Sequence, residues 1–369
     1  MGPLRGVRVL EVGGIGPNPF AGMLLADMGA EVLRLDRALG AGIAQSGATD
    51  PTFRGRQTIV VDLKSDGGRE LARRLASRAD ALIEGFRPGV MERLGLGPDE
   101  LLALNPRLVY GRISGYGQAG PMANSAGHDI NYVSVGGALG LFRRAGERPV
   151  MPVNFVGDYG GGAMFLAFGV VCALLEARNS GRGQVIDAAM VDGVALITSL
   201  VQGLHAAGLW NEEPGTNLLD SGAPFYDVYA TADGGHVAIG PIEPQFYARL
   251  LELLEIPADE MPQWEQERWA EYARRFAGIF ATRTTAEWGA LLEGEEACAT
   301  VVRTPFDAPQ HPHMQARGTF LTLDGVRQAA PAPRFSRTPG EARPAQHDPA
   351  AALARWGVDA ADLGLDGLA

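Results

Sequence analysis

Three side chains in this 369-residue sequence stand in settings suited to moving a proton. His128 lies in Gly127-His128-Asp129-Ile130-Asn131-Tyr132, Asp158 follows Asn154-Phe155-Val156-Gly157 and precedes Tyr159-Gly160-Gly161-Gly162, and Glu243 is framed by Pro241 and Pro244. An imidazole and a carboxylate that can trade a proton, with a second carboxylate to orient the imidazole, are what abstraction of a weakly acidic carbon proton requires. Singly, each has a plainer reading: an environment-sensitive histidine, a helix N-cap and a first-turn acid favoured by the helix dipole. The three glycines after Asp158 ask for more than a cap. They would let a substrate approach the backbone closely, beside N–H groups at the positive end of a helix, where an oxyanion is stabilised.

A second pattern is cationic. Arg37 follows the second expected strand, Lys64 ends the third, and Arg87 and Arg93 follow the strand that closes on Glu84-Gly85-Phe86. Such side chains at the carboxyl ends of successive parallel strands point into one crevice. The chain carries 32 basic and 43 acidic residues, a net charge of −11, so a local basic cluster implies a specific phosphate-bearing ligand. The same acidic balance opposes nonspecific binding to nucleic acid or an anionic membrane. The Gly13-Gly14-Ile15-Gly16-Pro17 loop occupies the place of a dinucleotide fingerprint, but Pro19 stands at its third glycine position, which disfavours nicotinamide and flavin. His205, His236, His311, His313 and His347 lack metal-ligand spacing, and Cys172 and Cys298 have no partner pattern, so no metal site is expected.

The elements that must position these groups follow from the hydrophobic pattern. Apolar runs predict strands over 7–12, 31–36, 58–63, 80–86, 108–113 and 184–187, alternating with helices over 20–28, 67–78, near 89–94, and over 98–104, 159–178 and 188–206. This is an α/β fold, a Rossmann-like open parallel sheet, forming a large domain over 1–188. A linker over 189–221 leads to a smaller α+β domain over 222–311, with a hairpin around Ala232-Asp233-Gly234-Gly235 and helices filling 245–293. Residues 312–332 read as a second linker, and the tail, 333–369, is expected to return to the large domain through a helix over 350–363 bearing Trp356. The longest uninterrupted apolar run, Ala163 to Leu175, is shorter than the roughly 20 residues a bilayer needs. Without a secretory signal, a cytoplasmic setting is expected.

Long motifs carry a resemblance. Leu4-Arg5-Gly6-Val7-Arg8-Val9-Leu10-Glu11 with its glycine loop, Glu84-Gly85-Phe86-Arg87-Pro88-Gly89-Val90, Gly115-Tyr116-Gly117-Gln118-Ala119-Gly120-Pro121, Gly127 to Tyr132 and Gly157-Asp158 resemble the family III CoA-transferase superfamily. Within it, the contexts of His128, Asp158 and Glu243 are similar to enzymes that invert the α-carbon of 2-methyl-branched acyl-CoA thioesters. The resemblance implies an interlocked homodimer in which Glu243 of one copy approaches His128 of the other. It also implies that the phosphate-bearing ligand is coenzyme A, carried as part of the substrate with no further cofactor. Arg37, Val61, Asp62, Leu63, Lys64, Gly85, Phe86, Arg87, Arg93, Gly127, Asp129, Ile130, Asn131 and Tyr132 would line its path, with Asn154 and Tyr226 near the reacting end. The implied reaction is a 1,1-proton transfer with His128 and Asp158 as the two bases, Glu243 fixing the imidazole, and the Asp158 N–H receiving the enolate oxygen. The alternative within the family is CoA transfer, with Asp158 as the nucleophile that forms an acyl anhydride.

Overall fold

The computed structural model describes residues 2–37, 49–346 and 348–359. The chain divides into two compact units: one formed by the segments up to Gly136, Pro152–Ile197 and from His313 onward, the other by Gly137–Met151 and Thr198–Pro312.

The first unit begins with β1 (Arg8–Val12), α1 (Pro17–Asp27), β2 (Glu31–Asp36), β3 (Gln57–Val60), α2 (Asp66–Ala76) and β4 (Ala81–Glu84). It continues through α3 (Val90–Arg93), α4 (Pro98–Leu104), β5 (Val109–Ser114), α5 (Asp129–Val135), α6 (Met164–Ser180), β6 (Val185–Ala189) and α7 (Met190–Ile197). Its six strands are all parallel, in the order β3-β2-β1-β4-β5-β6. That is the doubly wound order, with its direction reversing between β1 and β4, where such sheets open a crevice. The strands are apolar on both faces because helices cover both. Leu10, Leu33 and Leu82 point into one layer with Leu71, Leu75 and Trp356, while Val9, Val32 and Ile83 point into the other with Leu166 and Val170 of α6. Each fully buried side chain of this size stabilises the unit by about 1.5–3 kcal/mol.

Local chemistry trims the expected elements. The Ser65 hydroxyl accepts the Gly68 N–H at 3.0 Å and starts α2. The third strand stops at Val60, short of residue 63, and just beyond it the Asp62 carboxylate accepts the Lys64 N–H at 2.9 Å and forms a turn. The fourth stops at Glu84, whose side chain accepts the Phe86 N–H at 2.7 Å. Gly181, in the left-handed region at φ 77°, caps α6 as its position predicts.

Two helical expectations change. The long helix begins at Phe155 with a π-helical segment, Phe155–Ala163, that runs into α6. The whole stretch has 26 residues and contains an 18-residue window of mean hydropathy 1.8, so by length and composition alone it could cross a membrane. Here Leu166, Val170, Ala173 and Ala177 form its packed face within the core. The helix expected over 188–206 is instead α7 followed by α8 (Ser199–Ala206), interrupted at Thr198, whose hydroxyl accepts Gln202 Nε2 at 2.9 Å.

The second unit holds α8, an antiparallel sheet of β7 (Asp227–Ala230), β8 (His236–Ile239) and β9 (Ala299–Val301), and helices α9 (Pro244–Leu253), α10 (Trp269–Phe280) and α11 (Thr285–Leu292). An aromatic core of Phe225, Tyr229, Tyr247, Phe276, Phe280 and Trp288 holds it together. Its polar tips are satisfied: Trp288 Nε1 donates to Phe280 O at 2.8 Å and the Tyr247 hydroxyl to Met261 O at 2.9 Å. The three-residue strand β9 was too short to announce itself by alternation.

The segment over 312–332 is not a plain linker. It contains a short helix, Pro312–Ala316, and a hairpin of Phe320–Leu323 with Val326–Ala329. Asp324 at φ 50° and Gly325 at φ 78° make its two-residue turn. Further on, the helix Pro349–Arg355 places Ala352 and Leu353, with Trp356 after it, in the core beside Leu10 and Leu33. It ends at Arg355, short of the expected 363, and residues 360–369 of the tail lie outside the described ones.

Candidate active site

The crevice begins at the loop after β1. Arg34, on the neighbouring strand, is 1% exposed and donates to Gly13 O at 3.0 Å and to Gly14 O at 2.9 Å. Its guanidinium is in turn paired with Glu11 and Asp36, and Glu11 takes Arg56 on its other oxygen. The loop carbonyls are therefore spoken for by a buried arginine, and the loop is held as a rigid wall. Gly16, at φ 64°, ends this wall against Asp158: a Cβ there would lie 3.1 Å from Asp158 Oδ2. Phe86 closes over the same loop, its ring 2.6 Å from where a Cβ on Gly13 would stand.

The fold brings His128 and Asp158 into one electrostatic neighbourhood. His128 caps α5, exposed, and its own N–H donates to Asn131 Oδ1 at 3.0 Å. Asp158 is partly buried in the π-helical segment, where Asn154 Nδ2 donates to its Oδ2 at 3.3 Å. Burial raises its pKa, the Asn154 hydrogen bond lowers it, the Asp129 charge raises it and the His128 charge lowers it, with a net upward result.

Two details of the Asp158 expectation are corrected. Asp158 is not at the mouth of the helix, which starts three residues earlier, and its N–H is already given to Asp129 Oδ1 at 2.6 Å. That N–H is thus engaged and is not available to an enolate oxygen. Nor do the central glycines admit a substrate. They admit α7: a Cβ on Gly161 would lie 2.8 Å from Val194 N, and one on Gly193 would lie 1.9 Å from Gly161 O.

Around this pair, Tyr132 is mostly buried, its hydroxyl donates to Gly127 O, and burial pushes it up to about 12. Tyr116 meets the Tyr132 ring edge-on at 5.1 Å. Ile130 and Asn131 are exposed on the same helix. Gly85, Phe86 and Arg87 follow β4, Val61 to Lys64 follow β3 and Arg37 follows β2, so all stand at the carboxyl edge of one sheet. Arg37, Lys64, Arg87 and Arg93 are exposed. Glu243 and Tyr226 belong to the second unit, Glu243 as the exposed residue before α9 and Tyr226 with its ring about 3.5 Å from where a Cβ on Gly240 would stand. A hollow of about 580 Å³, lined by residues such as Arg143, His205 and Trp210, lies in the second unit and includes none of these residues.

A network absent from the sequence reading sits beneath the Gly85–Arg87 loop. Glu84 is fully buried, accepts Arg112 Nε at 2.9 Å and the Phe86 N–H at 2.7 Å, and Arg112 clasps Glu92 at 2.7 and 3.2 Å. Burial pushes Glu84 up to about 7 despite the adjacent guanidinium. Among the described residues no cluster of three or more His, Cys, Asp or Glu could hold a metal ion.

Fold and site together define a doubly wound α/β protein with a histidine–carboxylate pair beyond the carboxyl edge of its sheet. The chain belongs to CoA-transferase family III, which it matches over residues 4–351. It is 47% identical to an alpha-methylacyl-CoA racemase of Mus musculus over 341 residues, spanning 91% of this chain and 87% of that protein. It is 43% identical to the Homo sapiens alpha-methylacyl-CoA racemase, with the same shares covered. A crystal structure of a CAIB/BAIF family protein from Brucella suis superposes with a TM-score of 0.81 at 26% identity, covering 97% of this chain and all of that one.

Proposed function

We propose that this chain racemises the α-carbon of 2-methyl-branched acyl-CoA thioesters. The observation that carries the reading is the pairing of His128 with Asp158: two groups of opposite charge type, thirty residues apart in sequence, each placed within reach of the other's field. Identity to the mouse and human racemases across nine-tenths of the chain supports the same activity.

In this reading one of the two bases removes the α-proton from one face. The C–H electron pair moves into the thioester carbonyl and gives an enolate, and the conjugate acid of the other base returns a proton to the opposite face. One proton leaves and one arrives, so nothing is oxidised or reduced. The configuration of the bound substrate decides which group acts first. A raised Asp158 pKa narrows the gap between the base and the weak carbon acid it must deprotonate.

Arg37, Lys64, Arg87 and Arg93 supply cations for the phosphates of coenzyme A, with Val61 to Lys64, Gly85 to Arg87 and Gly127 to Tyr132 as the walls of its path, except for the Asp129 side chain, which is buried and turned away from it. Coenzyme A enters as part of the substrate. We further propose an interlocked homodimer in which the partner subunit's Glu243 orients the His128 imidazole. Supporting it, α6 presents Met164, Phe168, Val171 and Leu175 at i, i+4, i+7 and i+11, an apolar stripe uncovered in the single chain.

The experiment is to incubate the protein with one enantiomer of 2-methyldecanoyl-CoA and free succinate in deuterated water. Deuterium at the α-carbon without succinyl-CoA is expected. Succinyl-CoA formed without deuterium would instead make Asp158 the nucleophile of a CoA transfer.

A further inference from the structure

We infer that Asp129 is a positioning residue for the proton-transfer pair: from the first turn of α5 its carboxylate holds the Asp158 main chain and so fixes Asp158 against His128. The inference rests on the proposed roles of His128 and Asp158. A first-turn acid normally faces solvent and the helix dipole. Asp129 does not. It is 5% exposed and turned into the π-helical segment, where its Oδ1 accepts the Asp158 N–H at 2.6 Å.

The neighbouring residues are cut to fit this contact. A Cβ on Gly157 would lie 2.6 Å from Asp129 Oδ1, so only glycine lets the carboxylate reach the backbone there. On the other side, Asn131 holds the His128 N–H. One turn of α5 therefore grips both groups, and their separation is set by a single peptide unit plus one charge-assisted hydrogen bond. The second oxygen, Oδ2, is buried with no partner among the described residues. A merely structural role would not call for an orphaned buried acceptor, which is costly. A negative charge left uncompensated beside Asp158 is what a base with high proton affinity requires.

The charged groups that face Asp158 are Asp129 and His128, both from α5; the remaining neighbours are Asn154 and Tyr159 of its own segment and the Tyr132 hydroxyl. From the loop before α1 the contact is Gly16, which brings no charge. Neutralising Asp129 therefore lowers the proton affinity of Asp158, with no other anion among the described residues acting on it.

The test compares the full-length protein with Asp129→Asn and Asp129→Ala, using each enantiomer of 2-methyldecanoyl-CoA in deuterated water and free coenzyme A in calorimetry. Asparagine can still accept the Asp158 N–H but carries no charge. The expected result for Asp129→Asn is unchanged coenzyme A affinity and KM, a kcat lower by about tenfold, and an Asp158 limb of the pH profile moved to lower pH. Asp129→Ala should lose about 100-fold in kcat, the scale of a catalytic group displaced by an ångström, so that asparagine partly rescues it. If the alanine variant does not fold, the asparagine variant decides alone. A second readout, carboxyl-carbon NMR titration of Asp158, should show the same downward move. Weaker coenzyme A binding with kcat unchanged would make Asp129 a ligand contact and overturn the inference, as would an unmoved titration. Wild-type protein that exchanges no α-proton would sink the racemase reading instead, while the titration still decides the role of Asp129.

Discussion

Replacing Glu84 by glutamine should make the protein less sensitive to pH. Glu84 has a folded-state pKa of about 7 against an ordinary value of 4.5, raised first by burial and lowered less by the Phe86 N–H and Arg112. An acid whose pKa is raised on folding binds more protons in the folded state, so stability falls as pH rises from about 4.5 through 7. A gap of some 2.5 at about 1.4 kcal/mol per pKa unit gives a loss of about 3.5 kcal/mol across that window. Glutamine cannot ionise, and because only one of its two terminal atoms accepts, it gives up either the Phe86 N–H or the Arg112 Nε contact, a cost that does not vary with pH. The stability of the variant relative to its parent should therefore rise by about 3.5 kcal/mol between pH 4.5 and pH 8. Urea unfolding of both at several pH values measures the difference directly. Curves that stay parallel from pH 4.5 to 8, or a variant that loses ground on its parent toward pH 8, would refute the reasoning and mean that Arg112 holds Glu84 ionised at no cost. Burial also raises Asp27 and Asp158, so the wild-type slope has other contributors. Only the difference between variant and parent isolates Glu84.

The buried cluster behind the glycine loop gives a contrast between two arginines. Arg34→Met removes the partner of Gly13 O, Gly14 O, Glu11 and Asp36 and should cost about 3–5 kcal/mol in chemical denaturation. Arg56→Met should cost about 2 kcal/mol less, because among the described residues its Nε and Nη2 are buried without partners and Glu11 keeps Arg34; equal losses would contradict this. On the uncovered stripe of α6, Phe168→Glu with Leu175→Glu should convert particles of twice the chain mass into single chains by light scattering. A double variant that keeps the doubled mass would place the contact elsewhere.

Much of the first unit was legible because its strands are short unbroken apolar runs divided by glycine and proline, a pattern that a doubly covered parallel sheet imposes. Gly181 could be placed as a cap because only a left-handed residue suits that position. Other features were hidden by ambiguity in what a residue type can do. The glycines after Asp158 serve equally a substrate and a crossing helix, and only the geometry shows α7 occupying the space. Arg34 in Glu31-Val32-Leu33-Arg34-Leu35-Asp36 reads as a surface residue on an alternating strand, yet it is the anchor of a buried cluster. The hairpin over 320–329 did carry a signal, Asp324-Gly325, but its strands are only four residues long and run straight into a stretch of proline, alanine and arginine without regular alternation. His128 and Asp158 were singled out by their contexts. The hydrogen bond from Asp158 to Asp129 could not be, because a contact between residues 29 apart leaves no mark on spacing.

The most direct test of the two-base account starts from each pure enantiomer of 2-methyldecanoyl-CoA in deuterated water and follows deuterium and configuration together at early times. The wild-type protein is predicted to yield inverted product carrying one α-deuterium from either enantiomer. Folded Asp158→Ala is predicted to exchange the α-proton of one enantiomer only, through His128, and to return it with its configuration retained. An Asp158→Ala protein that still inverts the centre, or a wild-type protein that leaves the α-proton in place, would contradict the account.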